Sequence, residues 1–431
     1  MYIMSLSNNV KIWILDPTVF NSSRCEFKLP EGNLASSIKL TDLGYYSQQV
    51  DGRETGVYYD SLRGVLVTIK SITLYSGSTT LDSISELQLY GALQNVRTTN
   101  QGSEDLNRFD LLNGISVHVA TGLQTAPVGT GYLTSQPLHK DYNAFYSGNG
   151  INRHNNQLQV TDLDSDGASG TLVLSKYLEM LRSLPVLPNI PNLRLVIDWQ
   201  KETNGLFVDP AASTPVEGLT VSPIRPQLIV EEILGLAPQT GVVKLPYLST
   251  IVEEFVVNSV ADGVSNTSSF RSGAFRQRFL KDIVFMNKNI NGTNNSWMLS
   301  GSRCMAQNQE VLQLVVNGKY FLPDRGINQE AMRMQYLNDT LGPINMPLLA
   351  YLPTATDGAT FNIADEKLYF LQGQFAPVAV AVNSVIDRLD LEVTRRGSDY
   401  DNGLLQSYKV IAFGRVNRLL EFGNGTLRLS Y

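Results

Sequence analysis

The residues with the most recognisable chemical spacing are Asp162, Asp164, Asp166 and Gly167, in the stretch "DLDSDG". Carboxylates at alternating positions followed by a glycine open an EF-hand calcium loop. The twelfth position of such a loop is Val173 here, where a bidentate glutamate is needed, and no helical pattern precedes Asp162. The three carboxylates read as a solvated acidic loop, and cation binding by them is left open. His118, His139 and His154 share no metal-ligand spacing, and His118 sits in the strand-like "ISVHVA" as a structural histidine. The pairs Glu231/Glu232 and Glu253/Glu254 offer carboxylates for acid–base work, but neighbours on a strand point to opposite faces and make no catalytic couple. There is no Gly-x-x-x-x-Gly-Lys-Ser/Thr loop, no His-Glu-x-x-His and no Gly-x-Ser-x-Gly elbow. No catalytic, cofactor-binding or metal-ligating residue is assigned, no cofactor is expected, and the chain reads as a non-enzyme.

Composition narrows the partners. Of 431 residues, 43% are hydrophobic, enough for a large core, but only 17% are charged, against about 25% in ordinary soluble domains. So little charge implies that much of the surface lies against other protein. The net charge is −6, and the densest basic cluster, Arg271, Arg276, Arg278 and Lys281, is short and broken by apolar residues. No tight direct nucleic-acid binding is expected from it. Cys25 and Cys304 lie far apart and form no metal or redox spacing, which favours reduced thiols, with one long-range bridge as the alternative. The opening "MYIMSLSNNVK" has no basic-then-apolar leader pattern, and no apolar run reaches the ~18 residues of a membrane span.

The elements that must position all this are mostly strands. "NLRLVIDW" puts Leu193, Leu195, Ile197 and Trp199 on one face, and "DRLDLEV" does the same with Leu389, Leu391 and Val393. "RGVLVTIKSITLYSG" is strand-like, and "RLLEF", "GNG", "TLRLSY" reads as a closing hairpin. Helical spacing is confined to 84–96, 174–183 and 327–339. After the 174–183 helix, Pro185, Pro188 and Pro191 recur every third residue. Apolar Val186, Leu187 and Ile190 between them argue for a stiff bend into a core strand and against an exposed polyproline ligand.

Two stretches repeat this logic. "ITLYSG" turns through "ST" into Leu81 and the 84–96 helix, and "VLQLVVNG" turns through "KY" into Phe321, Leu322 and the 327–339 helix. "LRLVIDW" followed by "PQLIVEEI" then corresponds to "LDLEV" followed by "YKVIAFG". The expected fold is all-β: two tandem sandwiches with a few short helices in the connections. The expected division is a polar segment at 1–22, which fits an edge strand, a first sandwich at 23–235 and a second at 240–431.

"CEFKLPEGNLASSIKLTDL" (25–43), "VTIKSITLYSGSTTLDSI", "GTLVLSKYLEMLRSLPVLPNIPNLRLVIDW" (170–199) and "SFRSGAFRQRFLKDIVFMNKN" (269–289) together resemble the double jelly-roll major capsid proteins of icosahedral double-stranded DNA viruses, the tectivirus, virophage, Polinton-like and large eukaryotic virus lineage. The C-terminal half lacks the histidine-threonine and proline-rich closing pattern of the large eukaryotic viruses, so a compact virophage- or Polinton-like relative fits better. The resemblance implies two tandem eight-stranded jelly-roll sandwiches, the first jelly roll at 23–235 and the second at 240–431, preceded by an N-terminal arm at 1–22, in a structural protein of the virion made in the host cytoplasm. It would form homotrimeric, pseudo-hexameric capsomers that meet neighbouring capsomers, pentons and minor or cement proteins, in proximity to an inner membrane of the virion. Long polar loops at 98–110 and 287–302 would sit at the outer end. The alternatives on the residues are a trimeric carbohydrate-binding fibre or lectin-like sandwich, and a jelly-roll amidase or glycanase.

Overall fold

The computed structural model describes residues 2–7, 9–48, 54–56, 58–59, 64–98, 170–200, 206–209, 214–215, 220–236, 241–258, 264–289, 311–323, 326–327, 330–342, 377–396, 407–423 and 426–431. The acidic loop with Asp162, Asp164 and Asp166, all three histidines, Cys304 and most of both long polar loops lie outside the described residues.

Among the described residues, four large antiparallel sheets stack in two pairs, beside two small three-stranded ones. In the first half, Gln227–Ile233 is the spine of one sheet. Val10–Leu15 and Tyr2–Ser7 follow on one edge; Leu34–Ala35 and Lys39–Leu43 share the other. The facing sheet runs Thr79–Ser85, Ile69–Ser76, Leu193–Trp199, Arg24–Lys28 and Val19–Phe20. In the second half one sheet runs Val243–Val257, Tyr408–Gly423, Phe279–Asn289 and Val378–Val385. The other runs Ser265–Ser272, Leu389–Arg396, Val311–Val316 and Lys319–Tyr320. Over Tyr2–Leu15 the N-terminal segment is therefore a hairpin added to a sheet edge.

The two halves are built alike, as the repeated sequence pattern implies. In each, a tight hairpin delivers the chain to a helix: Ile69–Ser76 and Thr79–Ser85 lead to α1 (Leu87–Thr98), and Val311–Val316 and Lys319–Tyr320 lead to a helix over Glu330–Leu341. Both hairpins turn through left-handed backbone, at Gly77 (φ 58°) and at Asn317 (φ 51°) with Gly318 (φ 77°), which asparagine and glycine tolerate. The alternating strand then pairs with the first hairpin strand: Ile72 opposes Ile197 in one half and Leu314 opposes Leu391 in the other. All four side chains are fully or almost fully buried, because period-two alternation turns one row inward.

Three readings change in detail. The 174–183 helix is a 3-10 turn, Leu174–Lys176, and a separate short helix α2 (Glu179–Ser183), because Leu178 between them is extended (φ −92°, ψ 116°). Val65 to Val67, read within a strand, are buried in a 3-10 turn over Gly64–Thr68. "YKVIAFG" and "RLLEF" are one 16-residue strand, Tyr408–Gly423, on which Thr426–Ser430 folds back in the expected hairpin. The Glu330–Leu341 helix is α3 below.

The proline connector is a structural bend. The Pro185 carbonyl accepts the Ser36 N–H, Val186–Leu187 pairs with Leu34–Ala35, and the Pro191 carbonyl accepts the Ser76 hydroxyl at 2.7 Å. It thus ties the two sheets of the first sandwich together at one end, with Leu187 and Ile190 turned into the core. It also lines a cleft of about 800 Å³ whose far wall is Val243, Phe422 and Leu427 of the second half. Leu187→Asp puts an unpaired charge in that core, so a loss of at least about 3 kcal/mol is expected. Soluble yield and the thermal unfolding midpoint should both fall sharply; unchanged values would show Leu187 exposed.

Candidate functional site

The most heavily constructed region is the seam where the halves meet. The strands Phe279–Asn289 and Tyr408–Gly423 are buried on both faces. Ile283, Phe285, Val410 and Ala412 enter the core of the second half. Val284, Met286, Ile411 and Phe413 enter a core continuous with that of the first half. Strands covered on both sides need apolar residues at successive positions, which accounts for the runs "IVFM" and "VIAF". The covering elements are α1, α2 and the Thr79–Ser85 strand, joined by Leu337 and Leu341 of α3.

Polar groups cross the seam in bonded sets. On α1 the Tyr90 ring packs on Phe413, centroids 5.2 Å apart, and its hydroxyl donates to Glu179 Oε1 of α2 at 2.8 Å. Burial pushes that phenol above its ordinary range. Glu179 also accepts from Arg182 at 2.9 Å and lies 3.8 Å from Arg415 of the second half. Arg415 forms a two-pronged pair with Asp282, both bonds 2.6 Å. Burial alone would lower the Arg415 pKa, but the bonds and charge of Asp282 outweigh it and hold the guanidinium above its usual value. A bulge between Leu280 and Asp282 sets this register: it makes Asp282 the partner of Arg415 and puts it on the seam face beside Val284 and Met286.

Further bonds close the seam. The Leu81 carbonyl accepts from Tyr247 at 2.7 Å and Arg418 at 3.0 Å, and the Leu248 N–H donates to Ser183 at 3.2 Å. Lys288 reaches both Glu86 oxygens at 3.0 Å, and Arg97 of α1 donates to the Leu341 carbonyl in the last turn of α3, where the dipole favours a cation. Asp82 accepts the Ser249 hydroxyl at 2.7 Å.

The residues that sequence reasoning weighed for chemistry are engaged elsewhere. Glu231 binds Ser37 and Lys39, and Glu232 binds Trp13 and Lys11, on opposite faces of their strand. Glu253 holds Ser272 and the Gly273 N–H, and Glu254 holds Lys409. Arg271 pairs with Asp390, and Arg278 stacks 4.2 Å over Tyr431. Among the described residues no three His, Cys, Asp or Glu side chains group to hold a metal, and no helix is long and apolar enough to cross a membrane. The seam residues carried a weak signal in sequence: an acid or a base set against an apolar run, as in "KDIVFM" and "IAFGRV". Nothing in that signal pairs Asp282 with Arg415 across 133 positions.

No protein-family profile and no curated protein sequence matches this chain. Solved structures do. PBCV-1 VP54, as fitted into a reconstruction of the virophage Sputnik, superposes with a TM-score of 0.56 at 10% identity, covering 100% of this chain and 99% of that one. The Sputnik virophage structure gives 0.55 at 10% identity, covering 100% and 90%. The Faustovirus major capsid protein gives 0.52 at 9% identity, covering 98% and 92%. The chain therefore has the double jelly-roll fold, along essentially its whole length. The likeness is one of fold at an identity too low to carry individual residues across.

Two outcomes follow from the seam. Arg415→Met leaves Asp282 buried without its partner and should destabilise the chain by about 3–5 kcal/mol, while Arg415→Met with Asp282→Leu should recover much of the loss. Denaturant unfolding of the single and double variants measures this; additive losses would deny the pairing. Cys25 is fully buried, and burial pushes its thiol up to about 12. A thiol reagent at pH 8 should leave Cys25 unmodified in the folded chain and label it rapidly in denaturant.

Proposed function

We propose that this chain is a major capsid protein, a structural and non-catalytic component that builds an icosahedral viral shell. The observation that carries the reading is the pair of like-built sandwiches fused through a doubly buried sheet into one block, in a fold shared end to end with viral capsid proteins. Three such chains around a threefold axis present six similar sandwiches, a pseudo-hexagonal footprint that tiles a flat facet. Burial of subunit sides in that packing accounts for a charged fraction of only 17%.

The finer reading is a homotrimeric capsomer with an N-terminal segment at 1–22 and jelly rolls at 23–235 and 240–431. Its partners are neighbouring capsomers, pentons and minor or cement proteins, and its place is the virion after synthesis in host cytoplasm. A genome is held without tight direct contact, consistent with a net charge of −6. The carbohydrate-binding alternative needs clustered exposed aromatics. Among the described residues Phe20, Tyr320 and Tyr431 are exposed, on separate strands or ends, and offer no such face.

Light scattering on the purified chain tests the reading. A stable particle of three times 47.6 kDa is expected, with hexagonal outlines in negative stain. A strict monomer at micromolar concentration, or a trimer of elongated fibre shape, would overturn it.

A further inference from the structure

Asp82 is a seam carboxyl whose bonds all come from neutral donors. It lies on Thr79–Ser85, the strand by which the first sandwich abuts the second, and is fully buried. Its Oδ2 accepts the Met180 N–H at 2.8 Å, standing in for the cap that Leu178 does not supply to α2. Its Oδ1 accepts the Ser83 N–H at 3.0 Å and, from the second sandwich, the Ser249 hydroxyl at 2.7 Å. One carboxyl group thus fastens its own strand, the start of α2 and the long Val243–Val257 strand.

The charged and titratable groups around it come from three elements. Glu179 of α2 adds negative charge. Arg418, on Tyr408–Gly423, adds positive charge but donates to the Leu81 carbonyl and the Tyr431 hydroxyl. Tyr247, on Val243–Val257, donates to the same Leu81 carbonyl. Beyond Glu179, Arg182 and Arg415 are taken up by Glu179 and Asp282.

We propose that the seam is a proton-operated joint: the Asp82 carboxyl carries a proton when the two sandwiches are tightly docked, and its ionisation loosens the contact between Thr79–Ser85 and Val243–Val257. The geometry accepts either form. A protonated Oδ1 donates to Ser249 Oγ, which can accept as well as donate, while Oδ2 still accepts Met180. The ionised form keeps its donors but sits desolvated beside Glu179 with no bound cation.

Burial outweighs the Met180 and Ser249 donors and pushes Asp82 up to about 6 from 3.8. The folded chain therefore binds this proton more tightly than the unfolded chain. Its contribution to stability is absent well above pH 6, appears as pH falls through about 6, and is complete below 3.8. Between pH 8 and pH 5 the group changes the folding equilibrium by about tenfold.

Hydrogen exchange of the intact chain in its native assembly, corrected for intrinsic exchange at each pH, reads the joint directly. Protection of 79–85 and 243–257 should rise about tenfold from pH 8 to pH 5 in the wild type and stay level in Asp82→Asn. A wild type without the rise, or an Asp82→Asn variant that keeps it, overturns the proposal. Should Asp82→Asn fail to fold, infrared spectra of the wild type and Ser249→Ala decide. A protonated-carboxyl band present at pH 5, lost at pH 8 and displaced by Ser249→Ala supports the joint. A pH 5 spectrum with no component displaced by Ser249→Ala overturns it.

Discussion

A sheet that must be apolar on both faces governs the rest of this structure. Phe279–Asn289 and Tyr408–Gly423 serve one core with alternate residues and a second core with the residues between. In an isolated sandwich the outer face of such a sheet would be wet and polar. Here α1, α2 and the Thr79–Ser85 strand close over it, so neither half can present its native surface without the other. The chain is one block with two cores.

Burying that face creates an electrostatic problem at its margin, where strands run out toward solvent. The solution is pairing. Arg415 meets Asp282 in a two-pronged bond, Glu179 is bonded by Tyr90 and Arg182, and Arg97 covers the last turn of α3. Such groups add little net stability over apolar equivalents, but each is satisfied in one relative placement of the halves. They fix the angle of docking where apolar contact alone would tolerate sliding. Asp82 departs from this pattern, since its partners are neutral, and a buried carboxyl with neutral partners is the one that responds to protons.

Much of the fold was legible from local pattern. Leu389, Leu391 and Val393 mark an inward row by alternation, and the paired strand–turn–helix stretches expose the duplication. The proline connector was readable as a bend because proline fixes φ and the residues between were apolar. Helix continuity differs at 174–183: Leu174, Tyr177, Leu178 and Leu181 have helical spacing, but Leu178 is extended and the helix restarts with the first-turn Met180 N–H bound by Asp82 from a distant strand. Propensity could not foresee that, because the cap comes from 98 positions away.

The sequence by itself determined the strand-rich class, the doubling and the inward rows, since these follow from side-chain period and turn chemistry over a few residues. The runs "IVFM" and "VIAF" lie on strands that the structure buries on both faces. Tertiary structure alone decided what covers those strands and which charges meet there. The bulge between Leu280 and Asp282, the meeting of Asp282 with Arg415 and the isolation of Asp82 among neutral partners all depend on register between distant segments. Register is set by the summed packing of whole sheets, and no local stretch of residues carries that sum.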